Sequence, residues 1–292
     1  MRPTAKAQLQ IHFCVFLWGF TSILGKQITL PAIALVWWRM VVAVAALTLV
    51  PRVWRGMLGM SGRLALAYAG VGVLLALHWV TFFGAIKLAN ASVAATCIAL
   101  APVSLAVIEP WVGRRRFDPR EVFMGIAVAP GVALVVGGVP TTMRLGVLVG
   151  AASALLVAFF GALNKRLVRR ADALTVSWLE LGAGTVFLTG LAPLLPHAGA
   201  SFPVPSRRDA MLLLTLALGC TVLPFAVYLA ALRQLPAFGV QLTINLEPVY
   251  TIVLAILLLG EQHELGSSFY IGVAIILGVL FAYPTLTRRT RS

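Results

Sequence analysis

FFGAIKLANASVAATCIALAPV (82–103) and YLAALRQLPAFGVQLTINLEPV (228–249) read as two versions of one segment, and that likeness decides the fold. Lys87 answers to Arg233 and Pro102 to Pro248 at a single common offset. FTSILGK, ending at Lys26, and FFGALNK, ending at Lys165, repeat the theme near the start of each half. A basic residue and a proline matching at one offset separate a true repeat from the chance similarity of apolar helices.

Outward from the repeat, the 292 residues are 60% apolar and 11% charged, with mean hydropathy +0.97. Soluble domains run near ~45–50% apolar and ~25% charged, so a water-soluble fold is not expected. The apolar residues come in stretches of roughly 18–25, long enough to cross a hydrocarbon core at 1.5 Å per residue. Charged and Pro/Gly-rich breaks give ten candidate spans at 7–25, 32–50, 64–86, 91–113, 121–139, 145–164, 173–195, 210–232, 236–260 and 267–286. The expected fold is an all-α integral membrane protein of ten transmembrane helices in two five-helix repeats, 1–140 and 141–292, forming one membrane unit. Five is odd, so the second half enters the membrane inverted relative to the first, which is a transporter signature. The first span follows Arg2 and Lys6 without a small-residue cleavage site, and reads as a retained helix rather than a signal peptide.

The net charge of +14 follows from topology. With the N-terminus inside, the outer loops hold only Lys26, Lys87, Arg144, Arg207 and Arg208, and nearly all other basic residues face inward. The positive-inside rule then places both termini in the cytoplasm of a bacterial-type inner membrane. Arg114, Arg115 and Arg116 read as a loop anchor rather than a nucleic-acid patch, so the expected partners are the bilayer and a small-molecule substrate. One chain holds both repeats, so a monomer suffices, and a dimer is compatible. Cys14, Cys97 and Cys220 lie in apolar stretches without metal-ligand spacing, and neither a metal nor a cofactor is expected. The absence of GxxxxGK[ST], HExxH and GxSxG excludes ATP-driven pumping by this chain and the common hydrolases, leaving no catalytic residue to name.

WGFTSILGK (18–26), VWWRMVVA (36–43) and above all NLEPVYTIVLAILLLGE (245–261) resemble the drug/metabolite transporter superfamily, specifically its EamA type. The resemblance covers nearly the whole chain, and the spacing from Glu247-Pro248 to Gly260-Glu261 is its most specific element. It implies a secondary carrier, commonly an exporter of amino acids or related metabolites, with a cavity between two repeats. The first half departs from the pattern, with Ala101-Pro102 in place of Glu-Pro and Arg114-Arg115 where the second half has Gly260-Glu261.

Charges inside a bilayer are costly, so each is a functional candidate. Glu247 lies about 16 Å along its span from Pro236 at 1.5 Å per residue. It is the leading residue for proton coupling, the competing role being a clamp on backbone amides freed beside Pro248. Arg39, about eight residues into its span, needs a partner: carbonyl capping or pairing, possibilities that include Glu180 despite its position on the inverted helix, or a substrate carboxylate. Pro102 and Pro248 sit at matching positions where helix breaks expose backbone for a substrate, ordinary kinks being the alternative. His78 and Phe82, spaced i, i+4, share a repeat offset with Pro224 and Tyr228. His78 is a second coupling candidate or a packed neutral histidine. Trp18, Trp79, Thr96, Thr243 and Asn245 complete the candidate pocket. Lys26 and Lys165, closing the first and sixth spans, read as snorkelling to headgroups or as gating charges.

The function expected from these residues is export of small organic metabolites, amino acids first, by alternating access around a central cavity. The alternatives are efflux of lipophilic cations, anchored by a membrane carboxylate, and lipid handling without a soluble substrate.

Overall fold

The computed structural model describes all residues except 1–2, 114–118, 168–169, 195–201, 233, 236–239, 241–242, 245 and 289–292. Arg114, Arg115, Arg116, Arg233, Pro236 and Asn245 therefore lie outside the described residues. Among the described residues there is no strand, as expected where backbone polar groups must be satisfied within one segment.

Among the described residues, helices fall on the apolar runs. The first half contains α1 (Pro3–Gln27), α2 (Ala32–Thr48), α3 (Pro51–Leu58), α4 (Gly62–Leu88), α5 (Ala91–Ile98), α6 (Ala101–Gly113) and α7 (Pro119–Gly138). The second contains α8 (Arg144–Leu167), α9 (Ala173–Leu191), α10 (Arg207–Leu214), a π-helical stretch (Thr215–Val222), α11 (Leu223–Leu232), α12 (Glu247–Leu259) and α13 (Ser267–Arg288). Six described helices are long and apolar enough to cross a membrane, or seven if α2 and α3, bent by 87°, are one broken span. In α3, Val53 is buried while Trp54 is exposed, and Trp54 Nε1 donates to the Thr48 carbonyl at 2.8 Å. Arg52 pairs with Asp172, the N-cap of α9, at 2.9 Å.

Pro102 and Pro248 each stand in the first turn of a helix. Pro102 opens α6, after a break in which Ala99 N and Leu100 N donate three residues back, to Thr96 O and Cys97 O. Pro248 stands in the first turn of α12. That position tolerates proline because its missing N–H would have no intrahelical acceptor. Both prolines thus fall where a described helix begins.

Packing interlocks the two halves. α4 packs on α8 and α9, while α11 and the π stretch pack on α1 and α2; α5 and α6 lie on α8 as α12 lies on α1; α7 pairs with α13 and α2 with α9. Each of these contacts has a counterpart under exchange of the halves. Small residues allow the close crossings: a Cβ at Gly272 would stand 2.5 Å from the Gly131 carbonyl oxygen, and one at Gly150 would stand 2.8 Å from Cys97 Sγ. The small-residue run at 146–154 is thereby used to seat α8 on α5.

Hydrogen bonds close both ends of the bundle. At the end where α1 finishes, Lys26 Nζ donates to Ala89 O at 3.4 Å and Lys87 Nζ donates to Ile28 O. Thr29 N and Oγ1 donate to Asp209 at 3.0 and 2.6 Å. Glu261 accepts from Ala91 N and Ser92 N, both at 2.9 Å, and from Ser92 Oγ at 2.6 Å, capping α5. Glu261→Ala leaves those buried amides without acceptors, and each orphaned group costs about 1–3 kcal/mol. The expected result is a lowered unfolding temperature in detergent, with Glu261→Gln intermediate; equal unfolding temperatures for all three proteins would contradict the cap.

At the opposite end, where α8 finishes, Lys165 Nζ donates to Leu232 O at 3.0 Å and to Leu235 O at 2.6 Å. Both Lys26 and Lys165 therefore cap the C-terminal carbonyls of a helix from this protein, where a cation is favoured. Lys165→Met is expected to speed amide exchange at residues 229–232 by roughly tenfold, corresponding to the ~1.5 kcal/mol of one charge-assisted bond. Unchanged exchange there would remove the cap.

Candidate functional site: a central cavity between the halves

Where α1, α2, α4, α8 and α11 meet, with Ile98, Ile244 and Glu247 alongside, the chain lines a cavity of about 90 Å³. Its walls are mainly aromatic. Trp18 meets Tyr228 edge-on with ring centroids 5.5 Å apart, Tyr228 stacks on Phe225 at 6.4 Å, and Phe225 stacks on Phe160 at 6.0 Å. Trp79, Phe82 and His78 of α4 complete the wall. An apolar pocket with few polar groups suits a small organic ligand.

Two charged residues face this space, Arg39 and Glu247. Arg39 is 2% exposed. Its Nε donates to Thr221 Oγ1 at 2.6 Å, and its Nη2 lies 3.5 Å from Cys220 O. Both acceptors belong to the π stretch, where Thr221 Oγ1 also donates five residues back to Leu216 O at 2.8 Å. A wide turn of this kind moves carbonyls off the regular helical ladder, and such turns recur at functional sites. The guanidinium lies over the Trp79 ring, 3.8 Å from its centroid, a cation–π contact. Its Nη1 has no hydrogen-bond partner among the described residues.

Glu247, at the first turn of α12, is 8% exposed. Among the described residues it has neither a hydrogen bond nor an ion pair within 4.0 Å. Arg39 and Glu247 thus face one cavity without an ion pair between them closer than 4.0 Å. The clamp on freed backbone amides has no counterpart among the described contacts of Glu247.

His78 is fixed by Ser153 of α8. Ser153 Oγ donates to His78 O at 2.9 Å and lies 2.8 Å from Nδ1, while Ser153 O lies 3.1 Å from the same nitrogen. With the hydroxyl proton directed to His78 O, Nδ1 carries the ring proton, and Nε2 keeps its lone pair in a cavity-lining ring.

Of the residues expected at the site, Trp18, Arg39, His78, Trp79, Phe82, Tyr228 and Glu247 line one space. Thr96, Pro102, Thr243 and Pro248 are not on its walls. Thr96 Oγ1 donates to Ser92 O at 2.7 Å inside its own helix, and the two prolines open helices nearby. Asn245 lies outside the described residues. Lys26 and Lys165 stand at opposite ends of the bundle, away from the cavity. Glu180 makes no ion pair with Arg39; its partner is Asn164, whose Nδ2 donates to Glu180 Oε2 at 3.4 Å.

Thr21, Phe160, Phe225, Ile98 and Ile244 line the cavity without having been singled out. Phe225 precedes Tyr228 by three residues, a one-face spacing that identifies it in retrospect. Phe160 lies within the FFGALNK copy of the repeat.

Comparison with known proteins gives the same frame. A solved crystal structure of a protein superposes with a TM-score of 0.68 at 18% identity, over 99% of this chain and 99% of that one, and shows the fold. No curated protein matches the chain. The model of the EamA-like transporter family matches twice, over residues 6–137 and 144–283, one match per half. With both halves matched, this multi-pass membrane protein belongs to the EamA-like transporter family.

Proposed function

We propose that this membrane transporter of small molecules is a secondary carrier exporting amino acids or closely related zwitterions. The observation that carries the reading is a pair of opposite charges facing one aromatic cavity without a close ion pair, Arg39 with an unbonded Nη1 and Glu247 with no hydrogen bond among the described residues. A substrate carboxylate completes the hydrogen bonds of Arg39, and its ammonium group meets Glu247. Trp18, Phe160, Phe225 and Tyr228 supply an apolar surface for the side chain. A lipophilic cation would find Glu247 but would also meet the Arg39 charge, so the zwitterion fits better.

The architecture in this reading has ten spans in two inverted halves, divided near 140, with both termini cytoplasmic in an inner membrane. Support comes from the paired packing of the halves, the two family matches and the basic bias of one set of loops. Alternating access then opens the Lys165 end or the Lys26 end in turn around a fixed site. One chain holds both halves, so a monomer is sufficient.

Native mass spectrometry of the detergent-solubilised protein against an equimolar amino-acid pool tests the ligand class. Retention of zwitterions, lost when either the carboxylate or the ammonium group is capped, is the expected result. Retention of quaternary ammonium compounds and no amino acid would overturn it in favour of cation efflux.

A further inference from the structure

One turn of α8 beyond the cavity-lining Phe160, Asn164 meets Glu180 of α9, and neither side chain lines the cavity. Both are fully buried, at 0% exposure. The pair has one hydrogen bond, from Asn164 Nδ2 to Glu180 Oε2 at 3.4 Å. The two oxygens left over, Glu180 Oε1 and Asn164 Oδ1, are both without partners among the described residues. An ionised carboxylate has only acceptors, so it satisfies neither of them. A single proton on Oε1 supplies the missing donor, turning the pair into a ring in which the amide donates to one oxygen and the acid donates back to the amide oxygen.

The surroundings favour the neutral form. Among the described residues no cation lies within 4.0 Å of Glu180, and an unpaired charge in such a place costs several kcal/mol. The titratable and charged groups on the helices packed around α9 are engaged elsewhere. From α2, Arg39 is held by Thr221 and Cys220. From α4, His78 is held by Ser153, and Tyr68 donates its hydroxyl to Leu167 O at 2.8 Å. From α3, Arg52 is paired with Asp172, and Arg55 is exposed on the helix. From α11, Tyr228 lines the cavity and stacks on Phe225.

We propose that Glu180 and Asn164 form a proton-binding site beneath the cavity, loaded in this conformation as an acid–amide pair. Asn164 is the neighbour of Lys165, which joins α8 to the carbonyls at the end of α11. Opening that end moves Asn164 and admits water, and Glu180 then releases its proton. The release step rests on the carrier reading, whereas the loaded pair does not.

Infrared spectroscopy of the full chain in liposomes tests the loaded pair directly. At neutral pH a carboxylic-acid carbonyl band is expected that is absent in Glu180→Gln, a neutral isostere, and shifted in Asn164→Leu. A spectrum unchanged by Glu180→Gln would overturn the proposal, and a band that Glu180→Gln removes but Asn164→Leu leaves unshifted would overturn the pairing. For the release step, amino-acid flux driven by a pH gradient is expected to fall at least about tenfold in Glu180→Gln, with counterflow exchange preserved. Gradient-driven flux at the wild-type level would overturn release at Glu180. Absence of counterflow in the wild type would instead count against the carrier reading and leave the infrared result standing.

Discussion

Glu247→Ala is expected to reduce amino-acid flux in proteoliposomes by roughly ten- to a hundredfold while the protein still purifies folded. The size follows from the bond removed. A charge-assisted hydrogen bond contributes about 1.5–3 kcal/mol, and every 1.4 kcal/mol is tenfold. Folding should survive because Glu247 has no hydrogen bond or ion pair among the described residues whose loss would orphan a neighbour. Glu247→Gln separates charge from shape. It keeps the volume and one acceptor, so flux is expected to stay near the alanine level if the ammonium contact is ionic. Wild-type flux in both variants would remove Glu247 from the site.

Arg39→Met is expected to abolish zwitterion binding without lowering thermal stability. Buried charges are usually held by a carboxylate, and removing one partner of such a pair destabilises because the other is left charged. Arg39 lacks a carboxylate within 4.0 Å among the described residues; a hydroxyl, a carbonyl and the Trp79 face hold it. Its removal breaks no close ion pair, leaves Glu247 as the cavity's remaining charge at its 8% exposed position, and lets Thr221 keep its bond to Leu216 O. Replacing a buried ion pair by apolar side chains of similar volume is often neutral or stabilising, and a guanidinium without a close carboxylate sheds its desolvation cost in the same way. The unfolding temperature should be equal or higher, with ligand retention lost. A sharp fall in unfolding temperature would mean that Arg39 is a structural cap and not a recognition group. Arg39→Lys is not expected to rescue binding, since a point charge cannot reach Thr221, Cys220 and a substrate carboxylate together.

Arg39 and Glu247 were legible in the sequence because a charge in an apolar span stands out against everything around it. The repeat was legible for a similar reason, since Lys87, Pro102 and their counterparts are conspicuous in helices built of Ala, Leu and Val. Phe160, Phe225, Ile98 and Ile244 offered no such contrast, because apolar residues are the background of every span. Their place on the cavity wall is set by helix rotation, which a weakly amphipathic membrane helix does not encode in its polarity. Tertiary partners were hidden too. Nothing local says that Glu261 caps a helix 170 residues earlier in the chain, or that Lys165 reaches Leu235. The π stretch that presents Thr221 and Cys220 to Arg39 is a backbone deviation without a residue signature. Pro102 and Pro248, expected in mid-helix, stand instead in first turns, because a proline at a helix start and one at a kink look alike in sequence.

The central claim is that the cavity carries zwitterions across the membrane, and solute flux tests it most directly. Proteoliposomes loaded with a mixed pool of amino acids and related metabolites, with release measured by mass spectrometry, should show selective loss of a few zwitterionic solutes. That loss should vanish in Glu247→Ala. Release no greater than from empty liposomes, with protein shown to be folded, would contradict the account.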